Sequence, residues 1–229
     1  MSRAPRRRNQ AELADMRRRQ LAEVAIALFG RRGYHTTTIR DIAQRAGVSV
    51  GLIYQYFRDK EELLFYAITE ILDSYGREIP KALATGGTAV ERFHAAVHAY
   101  ARVIDRNRDA AALGYRESWS LSKERLAVIF RKELETNQLI RDCVRACIDE
   151  GAFRPTDDEI LTYQLVVIVH AWALSAWRLP RSLTVDEYVD RNLAVLLEPV
   201  WPDGSAARRH MPVAPPTLRP EDRKSRGLQ

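Results

Sequence analysis

Cysteine is scarce: the 229 residues contain two, Cys143 and Cys147. That excludes a disulfide-stapled scaffold. Long apolar runs are missing too. The best stretch, Leu165 to Leu174, includes His170 and falls well short of the ~18 to 20 residues that a membrane span needs. Arg3, Arg6, Arg7 and Arg8 open the chain with no apolar region behind them, so no secretory signal is expected. The resulting expectation is a cytoplasmic protein with reduced thiols and no membrane partner. No segment alternates with a period of two between hairpin turns, which argues against a sheet. Phosphate-binding and dinucleotide-binding glycine motifs are absent, as is a paired-carboxylate context. Neither an enzyme nor a cofactor is expected.

What is present is unevenly placed. The formal net charge is +6, yet residues 1–60 hold 13 Lys and Arg against 5 Asp and Glu, a net of +8. The rest of the chain is net −2. A basic end on a near-neutral body suits a polyanion-binding module attached to a regulatory or oligomerisation body. The apolar fraction of 46% is that of an ordinary globular protein.

Apolar residues recur at helical spacing almost throughout. Leu21, Val24, Ala25 and Leu28 form one face, and Val90, Phe93, Val97, Tyr100 and Ile104 another. Leu126, Phe130 and Leu134 step by four, as do Ile140, Val144 and Ile148. Thr88 with Glu91, Thr156 with Glu159, and Thr184 with Glu187 have the spacing of a capping box, and Asp59 with Glu62 is its acidic variant. Gly33, Gly47, Gly86-Gly87, Gly151 with Pro155, and Pro180 fall between these segments. The reading is an all-α protein of about nine helices, at 11–32, 38–45, 49–57, 60–84, 88–106, 109–119, 123–150, 157–178 and 184–199. Residues 1–9 are read as a disordered basic arm. Residues 202–229, with Pro202, Pro212, Pro215, Pro216 and Pro220, are read as a disordered tail.

Thr38 to Lys60 reads TIRDIAQRAGVSVGLIYQYFRDK. Ile39, Ile42, Ala43 and Ala46 give a first short helix its buried side. Gly47 suits a left-handed C-cap, Val48 fills the space between helices, and Ser49 caps a second helix whose Ile53 and Phe57 point inward. Val50, Gly51, Leu52, Tyr54 and Tyr56 are left on an outer face. A small-residue turn, a docked first helix and a second helix free to enter a major groove are what a helix-turn-helix needs.

From about Arg17 to Ile71 the chain resembles the DNA-binding domain of the TetR/AcrR family of bacterial transcriptional regulators. The resemblance rests on Leu28-Phe29, Gly33-Tyr34, Thr36-Thr37-Thr38, Ile42-Ala43, Ala46-Gly47-Val48-Ser49, Leu52 to Phe57, and Lys60 to Leu64. It covers about a quarter of the chain, in order and without a gap. It implies a three-helix DNA-binding domain at 10–71 and a ligand-binding and dimerisation domain at 72–201. It places Thr38 and Arg40 at phosphates or the groove edge, Ser49 to Phe57 as the recognition helix, and Tyr54, Tyr56 and Lys60 at phosphates. Val50, Gly51 and Leu52 match positions facing the bases, where readout would be mostly apolar. The alternative for Tyr54 and Tyr56 is an ordinary amphipathic surface. The four N-terminal arginines fit either a DNA-contacting arm or a solvated tail.

The expected function is a homodimeric regulator, a repressor, released from a palindromic operator in double-stranded DNA by a small, largely apolar effector. The alternative is a DNA-binding protein of the same fold without an effector. Leu161 to Trp177 is apolar almost all round, so one side suits the chain's own core and another a partner subunit. Leu165, Ile168, Trp172, Val189, Leu193 and Leu196 are the expected dimer interface. Phe93, Tyr100, Tyr115, Trp119, Phe130, Tyr163 and Trp172 are candidate pocket aromatics, with Arg102 and Arg116 for any acidic group on the ligand. The segments Tyr115 to Trp119 and Trp172 to Pro180 are similar to those of a family branch whose effectors include acyl-CoA thioesters. His94 and His98 share a helix face, but sequence puts no acidic or cysteine ligand beside them, so no metal is expected. Cys143 and Cys147 read as buried small hydrophobes.

Overall fold

Caps set the helix boundaries. The computed structural model describes residues 4–203, with side chains from residue 12 onward. Nine α-helices lie among them: α1 (Ala4–Arg32), α2 (Ile39–Ala46), α3 (Val50–Tyr56), α4 (Lys60–Leu83), α5 (Ala89–Arg106), α6 (Arg108–Glu117), α7 (Lys123–Asp149), α8 (Asp158–Ser175) and α9 (Val185–Leu196). Short 3₁₀ turns at Ser118–Ser120, Ala176–Arg178 and Glu198–Val200 follow α6, α8 and α9. The described residues contain no strand.

The Thr88–Glu91 and Thr184–Glu187 capping boxes form in full. Two other expected caps are corrected. At α8 it is Asp157, one residue after Thr156, whose carboxylate accepts from the amides of Glu159 and Ile160 at 3.1 and 3.0 Å. At α4, Asp59 accepts from the Glu62 amide, but Glu62 reaches back to the amide of Arg58, not to that of Asp59. A further box joins Thr38 and Asp41 at the start of α2. It escaped the sequence reading because its third position is Asp instead of Glu.

The backbone is helical from Ala4, so residues 4–9 continue α1 where a disordered arm was expected. The arginine side chains of that arm lie outside the described residues, as do residues 204–229 of the expected tail. Just before it, Trp201 is buried with its ring 5.0 Å from that of Phe153, and the Arg154 amide donates to the Val200 carbonyl.

α1, α2 and α3 close around Leu21, Ala25, Phe29, Ile42, Ile53 and Phe57, all essentially inaccessible. α4 shares that core through Leu63 and Leu64, then carries Ile71, Leu72, Tyr75 and Ile79 into a second core formed with α5 and α7. α8 and α9 pack on α5. α8 turns Leu161, Leu165, Val169 and Trp172 inward and leaves Ile160, Tyr163, Val167 and Leu174 exposed. The expected dimer residues divide accordingly. Leu165, Trp172, Val189 and Leu193 are buried within the single chain, while Ile168 and Leu196 are half-buried. A helical period identifies a stripe, and here the stripe named was the one that faces home.

Gly47 ends α2 at φ +66°, with nothing within 4 Å of where a Cβ would stand. Replacement by alanine therefore tests backbone conformation alone. The left-handed conformation costs an L-residue about 1–2 kcal/mol, partly offset by about 0.4–1 kcal/mol from a stiffer unfolded chain. Gly47→Ala should lower unfolding stability by about 1 kcal/mol in urea titrations. Unchanged or raised stability would contradict this.

Candidate nucleic-acid interface and adjoining cavities

Gly47 lets the chain reverse after α2: its amide bonds the Gln44 carbonyl and the Val48 amide bonds that of Ala43 at 3.0 Å. Ser49 Oγ then accepts from the Leu52 amide at 3.1 Å and starts α3. Ile53 and Phe57 anchor α3 inward. Thr38, Arg40, Ser49, Gly51 and Tyr54 are exposed on the outer side, while Val50, Leu52 and Tyr56 are half-buried, Val50 and Tyr56 against the core. Gln55, exposed and the only amide side chain on α3, was not singled out from sequence. Gly47-Val48-Ser49-Val50-Gly51 also spells G-x-S-x-G, the motif of a nucleophile elbow. That elbow lies between a strand and a helix, whereas this segment joins two helices and its serine serves as a cap.

Lys60 differs from expectation. Its ammonium donates to the carbonyls of Tyr34, Thr37 and His35 at 2.8, 3.0 and 3.3 Å, and lies 4.3 Å from the Tyr34 ring centroid. An ammonium has three donors, so all are engaged inside the molecule instead of being held out for a phosphate. Burial pushes its pKa down. The neighbouring Glu61 accepts from the Ser122 amide at 2.8 Å and pairs with Arg125 at 3.1 Å. Ser120 Oγ meets His35 Nε2 at 3.3 Å. The connection from α6 to α7 therefore rests directly on the helix-turn-helix end of the molecule.

Two cavities adjoin in the body. One, of about 230 Å³, lies among α4, α6 and α7 and is lined by Ile68, Ile71, Trp119, Ile129 and Phe130. The other, of about 400 Å³, lies among α4, α7 and α8 and includes Tyr100, Tyr163 and Val166. Leu72, Tyr75, Tyr115, Glu133 and His170 line both, and neither is lined by lysine or arginine. His170 sits between two tyrosines: Nε2 is 2.7 Å from the Tyr100 hydroxyl, and Nδ1 is hydrogen-bonded to that of Tyr115. Burial pushes its pKa down to about 4, so the ring is neutral. A neutral imidazole has one donor and one acceptor. One tyrosine must then donate to it and the other accept from it, leaving that second hydroxyl proton free. Burial pushes the Glu133 pKa up, and among the described residues it has no hydrogen-bond or ion-pair partner.

Tyr100, Tyr115, Trp119, Phe130 and Tyr163 thus border the cavities. Phe93 and Trp172 do not. Phe93 packs on Phe153 in the core, and the Trp172 indole donates to Asp105 at 2.7 Å. Arg102 is drawn to Asp186 at 3.0 Å, and Arg116 is exposed and lines neither cavity. Sequence reasoning missed His170 and Glu133 as lining residues: His170 is signalled as a lone polar residue in an apolar helical stretch, whereas Glu133, among Arg131, Lys132 and Glu135, carries no such signal. Cys143 and Cys147 are buried, their thiols pushed up to about 11 and about 12 by burial. The His94–His98 pair is not isolated as expected: the fold brings Asp186 and Asp190 against His98.

A helix-turn-helix at one end of an all-α body that encloses cavities defines the class of DNA-binding regulators. The sequence profile of bacterial regulatory proteins, tetR family, matches residues 21–67, and that of the tetracyclin repressor-like C-terminal domain matches 86–177. The chain is 43% identical over 188 residues to the HTH-type transcriptional regulator HbdR of Aromatoleum sp. (strain CIB), covering 82% of each. It belongs to the tetR family of bacterial regulatory proteins. The ketosteroid transcriptional regulator KstR2 of Mycobacterium tuberculosis has a solved structure that matches with a TM-score of 0.71 at 26% identity, covering 82% of this chain and 96% of that one. AibR, solved with isovaleryl coenzyme A and operator DNA, shares the fold with a TM-score of 0.68 at 21% identity, over 79% and 98% of the two chains.

The depressed pKa of His170 makes stability depend on pH. The unfolded imidazole takes up a proton near pH 6.5, while the folded one resists until about 4. The unfolded state therefore binds more protons in that window, and stability falls as pH drops from 6.5 towards 4. The shift corresponds to roughly 3 kcal/mol. His170→Gln, which keeps hydrogen-bonding capacity but does not titrate, should flatten the loss in urea melts at stepped pH. An identical profile in the variant would contradict the assignment.

Proposed function

We propose that the chain is a homodimeric repressor that leaves a palindromic operator when a small, largely apolar effector fills the paired cavities. The observation that carries this is the junction: Trp119 of the α6–α7 connection and Phe130 of α7 line one cavity, and the Ser122 amide of that connection donates to Glu61, beside Lys60. An effector that displaces the Trp119 wall moves the support of α4's first turn. α4 in turn positions the helix-turn-helix.

On the DNA side, α3 enters a major groove. Thr38, Arg40, Ser49, Tyr54 and Tyr56 take phosphates or the groove edge, and Val50, Gly51 and Leu52 face base edges. Lys60 acts behind them by fixing the 34–37 turn. On the far side, the outward residues of α8 and α9, Ile160, Val167, Leu174 and Val195, meet a second copy together with half-buried Ile168 and Leu196. Pairing two recognition helices at about 34 Å matches successive major grooves.

The lining also bears on effector chemistry. Among the described residues no lysine or arginine lines the cavities while Glu133 does, so a ligand carboxylate buried there would lack a counter-charge. A neutral acyl group suits the site better, its carbonyl accepting from the Tyr115 hydroxyl. Acyl-CoA thioesters provide such a group, and the AibR complex shows a protein of this fold with one. The test is operator release followed by fluorescence anisotropy across acyl-CoAs, the matching free acids and sugars. Acyl-CoAs should release DNA with a 5- to 150-fold affinity change, on the order of 1–3 kcal/mol, and the free acids should not. Tyr54→Ala should weaken operator binding by about 1–3 kcal/mol without altering the fold. Release by sugars alone, or unchanged binding by Tyr54→Ala, would contradict the reading.

A further inference from the structure

His94 and His98 lie one turn apart on α5, their rings stacked with centroids 6.1 Å apart. Across from them, α9 presents Asp186 and Asp190. His98 Nδ1 is 2.8 Å from Asp186 Oδ1, and His98 Nε2 is 2.9 Å from Asp190 Oδ1. Arg102 Nε also donates to Asp186, to Oδ1 at 3.0 Å and Oδ2 at 3.3 Å. One donor atom each from His94, His98 and Asp190 lies within 4.8 Å of the others.

Two features need explanation. A neutral imidazole donates from one nitrogen only. If His98 donates from Nδ1 to Asp186, its Nε2 meets the Asp190 carboxylate, a contact that either a second ring proton or a bound cation satisfies. Next to it, His94 Nε2 is buried with no hydrogen-bond partner among the described residues. Buried nitrogens are rarely left so, because the desolvation is then uncompensated.

We infer that His94, His98 and Asp190 form a binding site for a divalent first-row transition metal of the zinc type, with Asp186 as the outer partner of His98. A metal ion serves His94, His98 and Asp190 together, whereas a second proton on His98 alone leaves His94 Nε2 without a partner. Two imidazoles and a carboxylate favour zinc, cobalt or nickel over magnesium and calcium, which prefer oxygen. Tetrahedral bonds of about 2.0–2.2 Å set ligand atoms roughly 3.3–3.6 Å apart, so closure needs His98 Nε2 and Asp190 to part by about 0.5 Å and the widest pair to draw in by up to roughly 1.5 Å. Asp186 accepting from His98 Nδ1–H is the carboxylate–histidine–metal arrangement that fixes the tautomer and raises ligand basicity. Arg102 keeps Asp186 in that outer role. Bound metal would cross-link α5 to α9, whose outward face carries Val195.

The site stands apart from the cavities, so its test is independent of the effector. Full-length protein stripped with chelator is titrated with Zn²⁺ alone by calorimetry, with metal content checked by mass spectrometry. The expected result is one zinc per chain, a raised melting temperature and no competition from Mg²⁺. His94→Ala and Asp190→Asn should each lower zinc affinity at least tenfold, and Asp186→Asn by about 10- to 100-fold. Circular dichroism of each variant shows whether it has folded; Asp190→Asn, the near-isosteric change, decides if His94→Ala has not. The double variant Cys143→Ser/Cys147→Ser should bind zinc as the wild type does. No zinc uptake at micromolar free metal, unchanged uptake in Asp190→Asn, or loss of uptake in the cysteine variant would overturn the inference.

Discussion

The DNA-binding end depends on one ammonium group. Lys60 sits at the first residue of α4 and gathers the carbonyls of Tyr34, His35 and Thr37, three acceptors in a turn that has left α1 and not yet entered α2. Nothing in the helical ladder would satisfy those carbonyls. Charge-assisted bonds are roughly twice as strong as neutral ones, so the lysine fixes this turn more firmly than a neutral donor would. The Thr38–Asp41 capping box then begins α2 directly after the clamped turn. The angle at which α2 and α3 leave the body is thereby tied to the start of α4.

That dependence makes α4 the shared element. Its first turn holds the helix-turn-helix, its middle lines the cavities through Ile68, Ile71, Leu72 and Tyr75, and it packs on α5 and α7. Glu61, next to the clamp, is held by Ser122 and Arg125. One helix turn therefore has a DNA-side partner in Lys60 and a body-side partner in Glu61. A shift of the α6–α7 connection reaches the 34–37 turn through two adjacent residues, with no long relay. The Tyr100–His170–Tyr115 hydrogen-bond chain ties α5, α8 and α6 together beside the cavities.

The all-α fold, the helix-turn-helix and most helix starts were legible in the sequence because each rests on local rules: a three-and-four period, a cap, a glycine at positive φ. What was not legible depends on partners far away in the chain. Lys60 read as a phosphate ligand because its position matches one, yet its acceptors lie some 25 residues earlier. Arg102 read as a ligand for an acidic effector, but Asp186, across in α9, takes it. Phe93 and Trp172 belonged to the right helices and the wrong face. Leu165, Val189 and Leu193 were correctly apolar, but periodicity names a buried stripe without saying whether the cover is the same chain or another. His170 interrupts an apolar run and Glu133 sits among other charged residues, and only tertiary packing sets both at the boundary of two cavities.

The most direct test of the coupling is Glu61→Gln, which weakens the ties to Ser122 and Arg125 and leaves the cavity lining and the outer face of α3 untouched. Operator affinity of the free variant, and its affinity for the acyl-CoA that releases the wild type most strongly, should each stay within about threefold of wild type. The effector should then fail to release DNA, with the coupling reduced to less than about threefold. Full release by Glu61→Gln at wild-type effector concentrations would contradict a path through the first turn of α4.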